Sequence, residues 1–295
     1  AERLAEIREA PAGPEVCAFF DYDGTLIDGY SSVDIFRARL LNRDVGVAEA
    51  RDALRIALRG CTSEQDFAAV LQASRPAFAG RSDDELTAFG AELFRKETAS
   101  RIRPQMWQLI RAHRDRGHRI VVASSASRYQ VAPIADEIGA DSALATEVEV
   151  IDGVATGEVL GRPPWGTGKA AAVRRLAKEW QLDLESCFAY SDGDEDVPYL
   201  EAVGRPLAVS PQNGMRAVAQ ERGWPVLELR RPGHHPLEKL VRTGAFFGSF
   251  LGGTALGLAR GLLSGDLPGS LTAAVTGGLD LGLALAGVEI EVISG

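Results

Sequence analysis

The sequence predicts an α/β protein built on an open, mostly parallel sheet, with a helical insertion after the first strand. Three observations predict this fold class. Short, predominantly apolar runs at 16–20, 119–123 and 187–190 are typical of parallel strands that are buried on both faces. Segments with apolar residues at three- and four-residue spacing lie between these runs and favour amphipathic helices. Between the first two runs only helical periodicity is found, over residues 31–102.

Local patterns predict each element along the chain. Residues 1–10 form a charged amphipathic pattern that ends before Pro11, so a short helix is predicted there. Residues 16–20 follow as the first strand. Within the helical insertion, N-caps are predicted at Ser31, at Thr62 or Ser63, and at Ser82, the last with Glu85 in a capping box.

Strand and helix alternate again after residue 104. The predicted elements are a helix at 106–114, a strand at 119–123, a helix at 129–138, a short strand at 143–146, a hairpin at 148–157, a helix at 169–180, a strand at 187–190, and short strands at 207–209 and 226–229. The hairpin is predicted to turn at Asp152-Gly153, which is a strong turn pair. Alternation of this kind is typical of a Rossmann-like parallel sheet.

Composition excludes several classes of protein. The chain has 295 residues, of which 45% are hydrophobic and 25% charged, so a disordered or collagen-like chain is excluded. Three distant cysteines do not make a disulfide framework. The net charge of −9 argues against nucleic acid as a partner. The N-terminus lacks the apolar segment of a signal peptide, so we expect a cytoplasmic protein.

Polar side chains follow each of the three long predicted strands. They are Asp21, Asp23 and Thr25 after the first strand, Ser124 after the second, and Asp192 and Asp196 after the third. Lys169 begins the helix before the third strand. Because the carboxyl ends of parallel strands form the ligand crevice of an open sheet, these side chains are expected to meet.

Phosphoryl transfer is the chemistry that uses such a set. Asp21 is suited to act as a nucleophile and Asp23 as a general acid and base. Lys169 supplies a fixed positive charge, while the Ser124 hydroxyl and nearby N–H groups suit phosphoryl oxygens. Clustered carboxylates require a divalent cation before a phosphate approaches, and oxygen ligands favour Mg²⁺.

The segment Phe20-Asp-Tyr-Asp-Gly-Thr-Leu26 resembles the first motif of the haloacid-dehalogenase superfamily. Ser124, Lys169 and the segment 192–196 resemble its second, third and fourth motifs in order. The resemblance implies the following roles: Asp21, Asp23 and Lys169 in catalysis; Gly24, Thr25, Ser124 and Ser125 in binding the phosphate or substrate; Asp21, Asp23 (through its carbonyl) and Asp192 as Mg²⁺ ligands; and Asp196 in orienting the metal ligands and Lys169.

The insertion resembles the helical cap of the phosphoserine-phosphatase-like branch, of the type called C1, which closes over the site and favours small substrates. In that branch an acidic residue nine positions after the nucleophile contacts the substrate amine. Tyr30 occupies this position here, which argues against phosphoserine as the substrate. Tyr30, Arg37 and Arg39 are candidate contacts from the cap, although a structural or solvated role is favoured for each.

The predicted domains are a phosphatase core at 15–30 and 103–235, the cap at 31–102, and a tail at 236–295. Residues 243–295 hold only five charges but 13 of the 32 glycines, several at four-residue spacing. Such spacing suits close helix packing. Three interpretations stay open: a membrane-associated helical hairpin over 243–289, an interface for homo-oligomers, and packing onto the enzyme domain.

The tail from 237 onward also resembles the junction in actinobacterial proteins that fuse such a phosphatase to a 1-acylglycerol-3-phosphate acyltransferase. No histidine here is followed five positions later by an aspartate, so the acyltransferase motif is absent. We therefore expect a chain truncated before a further domain.

The predicted function is a Mg²⁺-dependent phosphomonoester hydrolase that acts through an aspartyl-phosphate on a small phosphorylated metabolite, with phospholipid metabolism as one setting. One alternative is a membrane-targeting or assembly module whose phosphatase acts on lipid-pathway phosphates, at the inner face of the membrane. Another is phosphotransfer to an acceptor other than water.

Overall fold

A computed structural model of the chain describes residues 2–229. The chain divides into two units, Ala1–Leu229 and Arg230–Gly295. All predictions about the tail, including its glycine-spaced helices and the fusion junction, lie outside the described residues. None of the helices within 2–229 is long and apolar enough to cross a membrane.

Helices and strands alternate through most of the described part, with a run of helices after the first strand. In chain order they are α1 (Glu2–Glu9), β1 (Cys17–Phe20), α2 (Ser31–Leu41), α3 (Val47–Arg59), α4 (Glu64–Ser74), α5 (Asp83–Leu93), α6 (Pro104–Asp115), β2 (Arg119–Ser127), α7 (Arg128–Ile138), β3 (Ser142–Ile151), β4 (Val154–Leu160), α8 (Thr167–Trp180), β5 (Phe188–Ser191), α9 (Val197–Leu200), β6 (Arg205–Val209), α10 (Asn213–Arg222) and β7 (Val226–Leu227).

The strands form one seven-stranded sheet in the order β4-β3-β2-β1-β5-β6-β7. All neighbours are parallel except β3 and β4, which form the predicted antiparallel hairpin. Every residue of β1 is buried, and Phe19 and Phe20 belong to two different hydrophobic clusters. Successive side chains of a strand point to opposite faces, so both faces of the sheet are covered. The predicted α/β class is confirmed.

The helices α2 to α5 lie between β1 and β2, as the helical periodicity predicts. Ser63 caps α4 in a reciprocal pair with Asp66. Ser82 caps α5 and accepts a hydrogen bond from the Glu85 backbone N–H. The Glu85 carboxylate pairs with Arg81.

Several predicted boundaries differ from the structure. The predicted strand at 143–146 and the first strand of the hairpin are one strand, β3, and β4 continues to Leu160. Two further differences lie close to the site. Tyr30, and not Ser31, is the N-cap of α2, because both donors of Ser31 are directed to the Asp23 carboxylate. The strand β2 continues to Ser127 and does not end at residue 123, because its pairing with β3 resumes at Ser127 after a register shift. The predicted turn at Asp152-Gly153 is confirmed, since both residues have positive φ, 51° and 77°.

The order of the strands determines where the ligand crevice lies. The chain leaves β1 toward β2 and β3 on one side and returns to β5 on the other side of β1. This reversal between β1 and β5 is a topological switch point, and ligands bind beyond the carboxyl ends of the strands there. The residues that directly follow β1 and β5 are Asp21 and Asp192.

Candidate active site

Lys169 links the loops that follow β1 and β5. It is the third residue of α8, and its Nζ donates to Asp21 Oδ1 at 2.8 Å and to Asp196 Oδ2 at 2.5 Å. The Ser191 hydroxyl also donates to Asp196 Oδ2, at 2.6 Å. All four side chains are buried. One ammonium group therefore holds two carboxylates from different loops in a fixed geometry.

Burial and charge act in opposite directions on this cluster. Burial alone would lower the pKa of Lys169, but the charges of Asp196 and Asp21 outweigh it and raise the pKa. Burial raises the pKa of Asp21 to about 6, against the lowering effect of the Lys169 ammonium. At neutral pH Asp21 is therefore a carboxylate beside an ammonium, which is the state that a carboxylate nucleophile needs.

The Asp23 carboxylate is bonded to the first residue of α2. Its Oδ1 accepts from the Ser31 backbone N–H at 2.6 Å, and its Oδ2 accepts from the Ser31 hydroxyl at 3.0 Å. Burial raises the pKa of Asp23 to about 7, although the bonds from Ser31 lower it. A carboxyl group that titrates near neutral pH suits a general acid and base.

Gly24 leaves space for the Asp192 carboxylate. A Cβ at Gly24 would lie 2.3 Å from Asp192 Oδ2, and the residue has a φ of +82°. The Thr25 hydroxyl donates to Asp192 Oδ1 at 3.2 Å. Thus Thr25 and Gly24, for which the sequence predicts contact with the phosphate, position Asp192 in this structure.

The charges of this site fit a divalent cation. Burial, followed by repulsion from Asp21 and Asp196, raises the pKa of Asp192 to about 8. Asp196 Oδ1 is buried and has no hydrogen-bond partner in the described part. No group of three or more His, Cys, Asp or Glu side chains within 2–229 is arranged to hold a metal. The ligand set that the resemblance implies is Asp21, Asp192 and the Asp23 carbonyl, and it leaves the Asp23 carboxylate free for its bonds with Ser31.

A family model described as haloacid dehalogenase-like hydrolase matches residues 18–201, more than half of the chain. The chain belongs to this family. The phosphoserine phosphatase SerB1 of Mycobacterium tuberculosis (strain ATCC 25618 / H37Rv) is 36% identical to this hydrolase over 229 residues, covering 76% of this chain and 74% of that protein.

Two solved structures share the fold of this hydrolase. A protein of unknown function from Bordetella pertussis Tohama I matches with a TM-score of 0.62 and 32% identity, over 72% of this chain and 98% of that one. A phospho-aspartyl intermediate analogue of phosphoserine phosphatase matches with a TM-score of 0.52 and 20% identity, over 74% of this chain and 95% of that one.

The two predicted serines of this hydrolase lie within β2. Ser124 is two residues beyond Val122, which pairs with Phe20 in β1, so Ser124 is close to the level of the Asp21 loop. It is buried, and its hydroxyl accepts from the Ala126 N–H at 3.1 Å. Ser125 is half-buried, and its carbonyl accepts from the Thr146 hydroxyl at 2.7 Å.

The three candidate cap contacts differ in their surroundings. Arg39 is buried and pairs with Asp44 and Glu49, so it is structural. Arg37 pairs with Glu97. Tyr30 is 43% exposed, and its pKa is raised to about 12 by burial and then by the charges of Asp192 and Glu195. Tyr30 is therefore the candidate that lies near the carboxylates.

The helical insertion contacts the loop that precedes Lys169. The rings of Phe67 in α4 and Trp165 stack with centroids 5.1 Å apart and planes at 7°. Glu64, also in α4, accepts from Arg162 at 2.7 Å and from the Thr167 hydroxyl at 2.9 Å. The loop that leads into α8 is thus held by the insertion.

Four residues for which the sequence predicts no role in the site are brought to it by the structure, namely Ser31, Gln130, Ser191 and Glu195. Ser191 and Glu195 lie in or beside the acidic turn that resembles the fourth motif. Glu195 is half-buried, and its pKa is raised to about 7 by burial and then by Asp196. Its Oε1 would lie 2.7 Å from a Cβ at Gly193, so Gly193 leaves room for this carboxylate.

Proposed function

We propose that this hydrolase is a Mg²⁺-dependent phosphomonoester hydrolase that acts through an aspartyl-phosphate on a small phosphorylated metabolite. The observation that carries the proposal is the contrast between two carboxylates only two positions apart. Asp21 is held by the Lys169 ammonium, while Asp23 is turned to Ser31. Two carboxyl groups in such different environments are suited to the roles of nucleophile and acid–base catalyst.

The reaction has two steps. In the first, a carboxylate oxygen of Asp21 attacks phosphorus, and the bond from phosphorus to the leaving oxygen breaks as that oxygen takes the proton of Asp23. In the second, water attacks phosphorus while Asp23 takes its proton, and the bond from phosphorus to Asp21 breaks to release inorganic phosphate. Lys169 neutralises charge near Asp21 in both steps.

Asp21, Asp192 and the Asp23 carbonyl would hold Mg²⁺. The ion supplies positive charge that lets a phosphate dianion approach the carboxylates. Its binding is supported by the excess of carboxylates over the single buried ammonium of Lys169, and by the raised pKa of Asp192. A relative named phosphoserine phosphatase supports hydrolysis of a phosphate ester.

The substrate is proposed to be a small metabolite other than L-phosphoserine. The SerB1 relative is named for phosphoserine, yet Tyr30 occupies the position at which the resembling branch carries an acidic residue. A phenol near Asp192 and Glu195 offers no counter-charge to an ammonium group. A panel of phosphorylated metabolites that includes L-phosphoserine tests this proposal, and fast hydrolysis of L-phosphoserine would contradict it.

The mechanism is tested with p-nitrophenyl phosphate in the presence of Mg²⁺ or of a chelator. We expect hydrolysis that requires Mg²⁺ and is abolished by Asp21→Asn. The matched control is Asp28→Asn, which alters a carboxylate in the same loop that pairs with Arg103 at 3.0 Å. Activity that survives Asp21→Asn would exclude Asp21 as the nucleophile.

A role in phospholipid metabolism, binding to a membrane surface through 243–289 and self-association are proposals that rest on the sequence of the tail alone. Flotation of the full chain with anionic vesicles, and its mass in solution, test them separately. Phosphotransfer to an acceptor other than water is tested by adding alcohols to the p-nitrophenyl phosphate assay. Transfer to the alcohol would make the amount of p-nitrophenol released exceed the amount of inorganic phosphate released.

A further inference from the structure

Ser31 donates two hydrogen bonds to the carboxylate of Asp23. The backbone N–H bonds to Oδ1 at 2.6 Å, and the hydroxyl bonds to Oδ2 at 3.0 Å. Ser31 is the first residue of the cap and is only 4% exposed, so water does not compete for these bonds. Both oxygens of Asp23 are therefore held by a single residue.

Gln130, in the first turn of the core helix α7, fixes the direction of the Ser31 hydroxyl. Its Oε1 accepts from the Ser127 backbone N–H at 3.1 Å and from the Ser127 hydroxyl at 2.8 Å. Because the amide oxygen is held by two donors, the Nε2 group is directed to the Ser31 Oγ, at 2.8 Å. The hydroxyl of Ser31 accepts from Gln130, so its proton is directed to Asp23.

This arrangement supports a negative charge that develops on Asp23. When Asp23 gives its proton to the leaving oxygen, it becomes a carboxylate. Two fixed donors at its oxygens stabilise the new charge and require no reorganisation at that moment. The same two bonds hold the Asp23 side chain in one orientation.

We propose that Ser31 and Gln130 are positioning residues for proton transfer by Asp23, an inference that rests on the proposed role of Asp23. Ser31 belongs to the cap, whereas Gln130 and Ser127 belong to the core, and they are joined by the 2.8 Å bond between Gln130 and Ser31. Positioning of Asp23 therefore requires that Ser31, at the start of the cap, lies against Gln130 in α7.

A purely structural role is the rival explanation. In that case, Asp23 does no more than anchor the first turn of α2. The two explanations differ in how the effect of a substitution depends on the leaving group. An alkoxide leaving group requires protonation, whereas p-nitrophenolate leaves readily without it. Loss of the positioning of Asp23 therefore slows the hydrolysis of alkyl phosphates selectively. Misfolding of the cap slows the hydrolysis of all substrates alike.

The experiment compares Ser31→Ala with the wild-type full chain on p-nitrophenyl phosphate and on glycerol 2-phosphate, in Mg²⁺. The quantity is kcat/KM, which reports the steps up to departure of the leaving group and excludes the later attack by water. We expect kcat/KM for glycerol 2-phosphate to fall roughly tenfold, and that for p-nitrophenyl phosphate to change less than about twofold. Ser31→Thr, which keeps the hydroxyl, should restore the wild-type ratio of kcat/KM for glycerol 2-phosphate to kcat/KM for p-nitrophenyl phosphate.

A matched control and a second variant separate folding from positioning. Ser82→Ala removes the capping hydroxyl of another cap helix and should lower stability without altering the ratio. Gln130→Met keeps every residue of α2 and removes the bonds of Gln130 to Ser31 and Ser127. It should lower the ratio of kcat/KM for glycerol 2-phosphate to that for p-nitrophenyl phosphate, to a smaller extent than Ser31→Ala. In the Ser31→Ala background Gln130→Met should add little, because both act through one bond.

The outcomes distinguish the two proposals. If kcat/KM falls equally for both substrates in Ser31→Ala and in Gln130→Met, or falls for neither, the positioning role is wrong while the phosphatase mechanism stands. If Ser31→Ala does not fold, the ratio measured for Gln130→Met decides the positioning role. If the wild-type chain hydrolyses neither phosphate, or if Asp23→Asn leaves the ratio unchanged, the proposed function of Asp23 fails and the inference fails with it.

Discussion

The ammonium of Lys169 lies 2.5 Å from Asp196 Oδ2, closer than its 2.8 Å distance to Asp21 Oδ1. Asp196 and Lys169 thus form the tighter of the two pairs, and the Ser191 hydroxyl further fixes Asp196. Lys169 is therefore held in place by a residue other than Asp21, the proposed nucleophile, and its charge would stay in position while Asp21 changes its bonding in the proposed mechanism.

Removing Lys169 should affect both folding and catalysis. Lys169→Met leaves two buried carboxylates without their counter-charge, which should cost about 3 kcal/mol in the free energy of unfolding. Activity on p-nitrophenyl phosphate should fall by roughly 10² or more. Lys178→Met, at an exposed position near the end of the same helix, should change neither quantity. Denaturant unfolding and steady-state kinetics measure the two effects, and an active Lys169→Met enzyme would contradict the role of Lys169 in catalysis.

Asp23→Asn should trap the covalent intermediate. The amide cannot accept a proton from water, so the second step slows, while an activated aryl phosphate still phosphorylates Asp21. Intact-protein mass spectrometry after mixing with p-nitrophenyl phosphate should show the mass of one added phosphoryl group. The double variant with Asp21→Asn should show none, and label that persists in the double variant would place the phosphoryl group on another residue.

Gly24→Ala should disrupt the position of Asp192. The new Cβ would lie 2.3 Å from the Asp192 carboxylate, in a backbone with a φ of +82°. Gly80→Ala is a matched control, because Gly80 has a φ of +81° and nothing within 4 Å of its Cβ position. Both variants should lose about 1 kcal/mol of stability from backbone strain. Only Gly24→Ala should raise the Mg²⁺ concentration needed for half-maximal activity, and equal Mg²⁺ requirements would mean that Gly24 does not place Asp192 for the metal.

The sequence predicts the parts of the site that follow strands, because strand ends fix where a side chain emerges. Asp21 and Asp192 directly follow β1 and β5, and Lys169 lies in the first turn of α8, so their approach is expected from topology alone. The Ser31–Gln130 contact joins residues 99 positions apart and depends on how the cap lies against α7. No local pattern carries that information.

The wrong end predicted for β2 has a similar cause. The run Ser124-Ser-Ala-Ser127 is small and polar, which is typical of a turn. In the structure it continues the strand through a register shift against β3, where the Thr146 hydroxyl bonds to the Ser125 carbonyl. Tertiary pairing with β3 overrides the local preference of these residues.

The stack of Phe67 on Trp165 should contribute to closure of the cap. Phe67→Ala and Trp165→Ala should each raise KM several-fold for small substrates, because the cap would close less often over the site. The double variant should be little worse than either single variant, with a coupling energy of about 1 kcal/mol between the two rings. A double-mutant cycle in kcat/KM measures this coupling, and additive effects would show that the rings act independently.

A buried chain of hydrogen bonds predicts a pH dependence of stability. When both imidazoles are neutral, His118 Nε2 donates to the Pro11 carbonyl at 2.8 Å, His118 Nδ1 accepts from His113 Nδ1 at 2.9 Å, and His113 Nε2 accepts from the Tyr190 hydroxyl at 2.6 Å. Burial favours these neutral forms. Burial lowers the pKa of His113 well below its usual range and also lowers that of His118.

As the pH falls through about 6.5, the unfolded chain takes up protons at His113 and His118 while the folded chain does not, so stability is lost on the acidic side. Asp21 and Asp23 act in the opposite direction, because their raised pKa values make the folded chain the better proton acceptor. The effect of His113 is therefore isolated by comparing the free energy of unfolding of His113→Gln with that of the wild type at each pH. This free energy, relative to the wild type, should rise steadily as the pH falls from about 7.5 to about 5.5. A difference that does not change with pH would mean that His113 takes up protons alike in the folded and the unfolded protein, and a difference of the opposite slope would mean that His113 is charged in the folded protein.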